Sequence, residues 1–162
     1  MSDIDEKDYP DKGLPIGIEV PQKNFTDIYG EEIQFEIILS SYRGILLDFF
    51  RGAFWVPCKE HLEKINKNIS KFEEKGVKFI AISTDSVNHG YEFSLISDRG
   101  AKITKRFNVY IFARPLDIIY LKTKLAVPST FLINKNLEIA WTYIGDREDR
   151  PSTPAFGTVT GL

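Results

Sequence analysis

Cys58 is the only cysteine among 162 residues, and its address is that of a reactive thiol. It stands in Arg51-Gly-Ala-Phe-Trp-Val-Pro-Cys58-Lys-Glu-His-Leu62, where a strongly apolar stretch gives way to helical spacing. Leu62, Ile65, Ile69 and Phe72 recur at three- and four-residue intervals with Lys and Glu between them, and Gly76 supplies a stop. Pro57 suits the first helical position, which places Cys58 in the first turn. Val56 has no side-chain oxygen to cap the free N–H groups, so those donors and the positive end of the helix dipole face an anion. A thiolate is such an anion, and so is a substrate oxygen. The alternative for a lone cysteine is a small, buried, inert hydrophobe.

Groups that move protons lie nearby in sequence. Asp48 sits inside Ile-Leu-Leu-Asp-Phe-Phe and is expected to be partly buried, as suits proton transfer, or else paired inward with a lysine. His61 follows Cys58 by three residues and could approach it on the helix, although a histidine there is more often solvated. His89 has no evident partner. Two isolated histidines and one cysteine make neither a metal site nor a cofactor site, and none is expected.

The elements that position these residues follow from apolar patterning. Met1 to Gly13 reads as a polar, flexible leader, with a single domain over residues 14–162. Glu19 to Leu39 contains Pro21, a turn at Asp27-Ile-Tyr-Gly30 and the apolar positions Ile33, Phe35, Ile37 and Ile38, which predict a short hairpin. Gly44 to Phe50 is almost continuously apolar, as in a strand buried on both faces, and Val77 to Ser83 is a second such strand. Strand, helix, strand predicts a right-handed parallel crossover carrying Cys58 at its head. Asn88 to Leu95 fits a short helix or a short strand. Ala101 to Phe107 reads as helix, and Tyr110 to Ala126 as an apolar connection interrupted by Pro115. Thr130 to Ile133 and Leu137 to Ile144, joined by Asn134-Lys-Asn136, predict an antiparallel hairpin. Asp146 to Leu162 holds Pro151, Pro154, Gly157 and Gly161 and is expected to lack a long helix. No internal repeat is evident.

Composition excludes several classes. A net charge of -2 without a dense basic stripe argues against nucleic acid as the main partner. No apolar run approaches the roughly 20 residues that span a bilayer, and the acidic first residues lack the apolar core of a secretory signal. The expectation is a cytoplasmic protein without a membrane partner. A single cysteine fits a reducing compartment and requires an external molecule to resolve an oxidised thiol.

A buried parallel core that runs into an antiparallel hairpin, with a cysteine heading the first crossover helix, resembles the thioredoxin fold. Leu47-Asp48-Phe49 followed by Trp55-Val-Pro-Cys58-Lys59 is similar to the thioredoxin pattern of a strand Asp before Trp-Cys-Gly-Pro-Cys-Lys. Pro57, Cys58 and Lys59 match its end, and Trp55 occupies the place of the first cysteine, which removes dithiol exchange within the chain. Over residues 14–150 the fuller resemblance is to peroxiredoxins of the alkyl hydroperoxide reductase and thiol-specific antioxidant superfamily. Ser41-Tyr-Arg-Gly44, Phe49-Phe-Arg-Gly-Ala53, Ile82-Ser-Thr-Asp85, Leu95-Ile-Ser-Asp98 and Val127-Pro-Ser-Thr-Phe-Leu-Ile-Asn134 carry it. It implies an α/β, thioredoxin-like fold with a central mixed β-sheet flanked by helices and an N-terminal β-hairpin extension.

The same resemblance implies that Cys58 attacks peroxide, becomes a sulfenic acid and is reduced by an external thiol or a thioredoxin-like reductant, in a one-cysteine cycle. The chain departs from the family pattern at two positions. Where peroxiredoxins place Pro and Thr or Ser before the cysteine, it has Arg51 and Trp55, so the hydroxyl that holds peroxide is missing. Where they place an arginine before the Thr-Phe strand it has Pro128, which matches the cis-proline of thioredoxins and would expose backbone to an extended thiol partner. Arg51, Arg114 or Arg150 could supply the missing cation, or could be surface residues. Phe54 and Trp55 could form a dry collar around the thiol or a homodimer edge. The expected activity is thiol peroxidase, with a monothiol redox protein and a non-enzymatic binding module as the alternatives.

Overall fold

A computed structural model describes residues 13–50, 56–84, 90–109, 111–112, 125–126 and 128–144. The chain opens with β1 (Asn24–Thr26) and β2 (Glu32–Gln34), an antiparallel hairpin with Phe25 opposite Ile33. Asp27 makes its turn: Oδ1 accepts from the N–H groups of Tyr29 and Glu31, and Gly30 takes the positive φ. The hairpin is shorter than the sequence suggests. Phe35, Ile37 and Ile38 belong to a helix, α1 (Phe35–Ser41), whose buried residues are Phe35 and Leu39, a four-residue spacing that alternation cannot satisfy.

The centre is β3 (Gly44–Phe50), in which all seven residues are buried. After it come α2 (Val56–Lys67), α3 (Ile69–Glu74), β4 (Val77–Ser83), β5 (Ser94–Ser97), α4 (Lys102–Arg106), β6 (Ile111–Phe112), β7 (Leu125–Ala126), β8 (Ser129–Ile133) and β9 (Ile139–Ile144). The main sheet has the order β5-β4-β3-β8-β9, while β6 and β7 form a separate antiparallel pair. β3 pairs parallel with β4, and β4 with β5, whereas β8 runs antiparallel to both β3 and β9. This is the mixed sheet with an N-terminal hairpin that the resemblance implies. Of the ambiguous stretch Asn88 to Leu95, Ser94 and Leu95 open β5, residues 90–93 form neither helix nor strand, and Asn88 and His89 lie outside the described residues.

The single helix expected from Pro57 to Gly76 is two. Asn68 interrupts it by turning its side-chain amide back onto the Lys64 carbonyl at 2.8 Å, and α3 restarts beyond it. At the far end Gly76 adopts φ +76, and its carbonyl accepts from the N–H groups of Arg43 and Gly44. A Cβ there would meet Arg43 Cγ at 3.2 Å as well as requiring the left-handed conformation.

The sheet divides two apolar layers. Ile45, Leu47 and Phe49 of β3 pack with Phe25, Phe35, Ile80, Ile82, Phe107 and Phe131 on one face. Leu46 and Phe50 pack with Leu62, Ile65, Phe72, Phe79 and Leu95 on the other, beneath α2 and α3. Because successive residues of a strand alternate faces, Asp48 belongs with Leu46 and Phe50 on the helix-covered side. The expected hairpin at β8 and β9 is present, with Asn134 Oδ1 accepting from the N–H groups of Asn136 and Glu138 in the turn. Gly13, at the end of the expected leader, donates its N–H to the Asn108 carbonyl at 3.1 Å.

Candidate active site

Cys58 occupies the first turn of the twelve-residue helix α2, which begins at Val56, one residue earlier than the proline suggests. No acidic residue stands in that first turn, and Lys64 and Lys67 lie in the last. The macrodipole is thus left uncompensated at the cysteine end and matched by cations at the other. β3 delivers the chain to this point and β4 receives it after α3, so the thiol address sits beyond the C-terminal end of a buried parallel pair.

Beneath α2 lies a polar trio that the rest of the layer lacks. Asp48 is fully buried, His61 is 8 % exposed and Thr130 is fully buried. His61 Nε2 lies 3.0 Å from Asp48 Oδ2, and the Thr130 hydroxyl donates to Asp48 Oδ1 at 3.0 Å. Three elements converge here: α2 supplies the imidazole, β3 the carboxylate and β8 the hydroxyl. Both oxygens of the acid are therefore satisfied, the condition under which an interior carboxylate is tolerated.

Two expectations need correction. Asp48 is not partly buried or paired with a lysine; its partner is His61, because the α2-facing side of β3 meets that histidine instead of a long cationic chain. His61 is not a solvated residue. Its position next to Leu62, which is also buried, turns it toward the sheet, while Lys59, Glu60, Glu63 and Lys64 remain exposed. The member that the sequence reading missed is Thr130. Its signal was available in register, since Thr130 and Asp48 are directly opposed across β3 and β8, but that pairing depends on an antiparallel match no local pattern announces.

Pro128 is buried immediately before β8, two residues from Thr130. The fold thus brings the proline segment to the strand beside β3, although the bond joining it to residue 127 lies outside the described residues. Arg51, Phe54, Trp55, His89, Arg114, Arg150 and the segment 146–162 also lie outside them. Pro57 lies in the first turn of α2 with Cys58. Among the described residues no three His, Cys, Asp or Glu side chains form a metal-holding group, and no helix is long and apolar enough to cross a membrane.

Comparison with known proteins places this geometry in context. The model of the AhpC/TSA family matches residues 16–142. The thiol-disulfide oxidoreductase ResA of Bacillus anthracis is 27% identical over 143 residues, covering 83% of this chain and 72% of its own. Among solved structures, the peroxidoxin BcpB from Mycobacterium tuberculosis superposes with a TM-score of 0.69 at 17% identity, over 91% of this chain and 95% of its own. A cysteine-to-serine mutant of peroxiredoxin 6 of Arenicola marina gives a TM-score of 0.76 at 15% identity, over 92% of this chain and 73% of its own. These two likenesses establish the thioredoxin-like fold.

Proposed function

The chain belongs to the AhpC/TSA family, whose chemistry is thiol oxidoreduction, and on that premise we propose that it is a one-cysteine thiol peroxidase acting through Cys58. The observation that carries this reading is the position of the only thiol in the sequence, in the first turn of a helix with no acid there to oppose a thiolate. The sulfur attacks one oxygen of a hydroperoxide, an S–O bond forms as the O–O bond breaks, and the departing alkoxide or hydroxide takes up a proton. The product is a sulfenic acid on Cys58 and an alcohol or water. An external thiol then condenses with the sulfenic acid, releasing water, and a second thiol frees Cys58 as the external disulfide departs. That reductant, a low-molecular-weight thiol or a thioredoxin-like protein, belongs to a reducing compartment such as the cytoplasm. By the family resemblance a second copy of the chain is a further partner of this reading, with Phe54 and Trp55 as the candidate edge.

A second reading has its own support. Similarity to the thiol-disulfide oxidoreductase ResA, together with a buried Pro128 at the head of β8, is compatible with monothiol exchange in which Cys58 forms mixed disulfides with thiol partners. The two readings separate by mass analysis of Cys58 after a brief, low dose of peroxide in the presence of a sulfenic-acid trap. A trapped adduct on Cys58, with peroxide consumed in proportion to added thiol, is the expected result. Rapid alkylation without peroxide-dependent trapping selects monothiol exchange. No adduct and alkylation at the rate of free cysteine would sink both and leave a binding module.

A further inference from the structure

We propose that the outer edge of β1 pairs with the same edge of a second copy of the chain, joining two hairpins into one antiparallel sheet in the order β2-β1-β1-β2. The inference concerns residues other than Cys58, Phe54 and Trp55 and does not rest on the reading of the thiol.

The hairpin ladder fixes which backbone groups are already engaged. Phe35 donates its N–H to the Lys23 carbonyl and Asp27 donates to Glu31, so the bonded pairs are Lys23 with Phe35, Phe25 with Ile33 and Asp27 with Glu31. Bonded and non-bonded pairs alternate along an antiparallel ladder, so the N–H and C=O groups of Asn24 and Thr26 point the other way, out of the hairpin. There the Asn24 carbonyl accepts from Gln22 Nε2 at 3.0 Å, which leaves its second lone pair open. No described residue bonds the Asn24 N–H or either backbone group of Thr26. Both residues are exposed, and a groove of about 450 Å³ lies along the hairpin, lined by Gln22, Asn24, Thr26, Glu32 and Gln34.

The edges of the main sheet are treated differently. Gly17 and Ile18 bond to Ile139 at the start of β9, and the Ile28 N–H donates to the Leu95 carbonyl of β5. Among the described residues β1 has no such cover, its register is regular, and no proline stands inside it to blunt the edge.

Register and charge identify the occupant. A two-fold axis beside Phe25 opposes Asn24 of each copy to Thr26 of the other, and both pairs exchange N–H···O=C bonds. The same register sets Lys23 of each copy opposite Asp27 of the other, an attraction made twice. Moving the register by one bonded pair in either direction sets Lys23 or Asp27 opposite the apolar Phe25 instead. The edge is therefore complementary to itself. Asp27 holds its own turn through Oδ1 and Lys23 reaches Glu36, so the new contacts add to those already made. Short strands bury little area, which puts the pairing in the weak, concentration-dependent class.

The test is sedimentation equilibrium of the full chain from micromolar to millimolar concentration, with a reducing agent present so that no Cys58 disulfide joins two copies. The expected result is a reversible monomer–dimer equilibrium that weakens with added salt. Lys23→Glu places like charges across the axis and should weaken the dimer about tenfold. Thr26→Pro removes an outward N–H that the hairpin itself does not use, so the dimer should be lost while the urea midpoint stays. In a mixture of isotope-labelled and unlabelled parent protein, the Phe25 Hα should show a nuclear Overhauser contact to the Phe25 Hα of the other copy, the close non-bonded pair of this register. That contact decides the matter if Thr26→Pro fails to fold. A chain that stays monomeric throughout, a dimer indifferent to a folded Thr26→Pro, or a dimer without the Phe25 contact overturns the proposal.

Discussion

Asp48 and Thr130 are directly opposed on β3 and β8, and the Thr130 hydroxyl donates to Asp48 Oδ1 across that pairing. The strand carrying the proline segment is thereby tied, through one buried acid, to the strand that leads to Cys58. The Asp48 carboxylate is shared between this hydroxyl and the His61 ring, so each neighbour limits how the other can move.

Removing the hydroxyl should therefore weaken the fold. Thr130→Val keeps the shape but leaves one oxygen of a fully buried acid without its donor, a loss of about 1–3 kcal/mol. Urea unfolding should show the midpoint lowered with an unchanged slope. An unaltered midpoint would mean that the bond contributes nothing net.

Asp98 is expected to matter for a different reason. It lies buried at the entry to α4 and accepts from the N–H groups of Ile103 and Thr104 and from the Thr104 hydroxyl, while Ala101 at the cap position offers no side-chain acceptor. Asp98→Ala leaves these donors orphaned and should cost about 2 kcal/mol. Hydrogen exchange should quicken at residues 102–107 more than in β3 and β4. Uniform quickening would argue against a local cap.

Alkaline stability should carry the mark of Tyr42. Its phenol donates to Glu73 at 2.7 Å, and this hydrogen bond, with some burial and the nearby negative charge, raises its pKa above the ordinary value of about 10. A pKa raised in the folded state stabilises the fold below the unfolded value, and that contribution is lost as pH rises through the folded value. The Tyr42→Phe variant should be less stable than the parent near neutrality, with the difference shrinking above about pH 10. Unfolding midpoints at a series of alkaline pH values, with phenolate absorbance followed in parallel, check this. A difference that stays constant with pH would remove Tyr42 from the account.

Trp55 stands three residues before Cys58, the spacing of a redox dithiol. Trp55→Cys should therefore create an intramolecular pair and add disulfide-reducing activity toward insulin, which the parent cannot sustain without an external resolving thiol. Quantitation of free thiols after mild oxidation should find two lost per chain in the variant. If both thiols persist under oxidation, the two positions do not approach as the thioredoxin resemblance implies.

How far the chain could be read without its fold is clearest along β3 and α2. Seven consecutive buried positions from Gly44 to Phe50 announce a central strand because a sheet covered on both faces leaves no polar side to alternate with. The helix start at Pro57 and the hairpin at Asn134 were legible for a similar reason: proline and asparagine act within a few bonds of themselves. The segment from Phe35 to Ser41 was less so, since seven residues with apolar groups at several spacings satisfy a strand template as well as a helix one. Asn68 hid the break between α2 and α3, because the periodicity of Leu62, Ile65, Ile69 and Phe72 runs through it unbroken.

By itself, then, the sequence determined the two central strands with their parallel crossover, the hairpin of β8 and β9 and the single thiol at the head of a helix, which follow from residue type and short-range spacing, while the family was legible through the resemblance of its motifs. Only tertiary structure decided what Asp48 does. Thirteen residues separate it from His61 and 82 from Thr130, so the trio exists only once β3 has paired with β8 and α2 has settled on the sheet. The physical reason is that a buried acid must find partners within about 3 Å, and which groups come that close is a property of register and packing that no stretch of neighbouring residues contains.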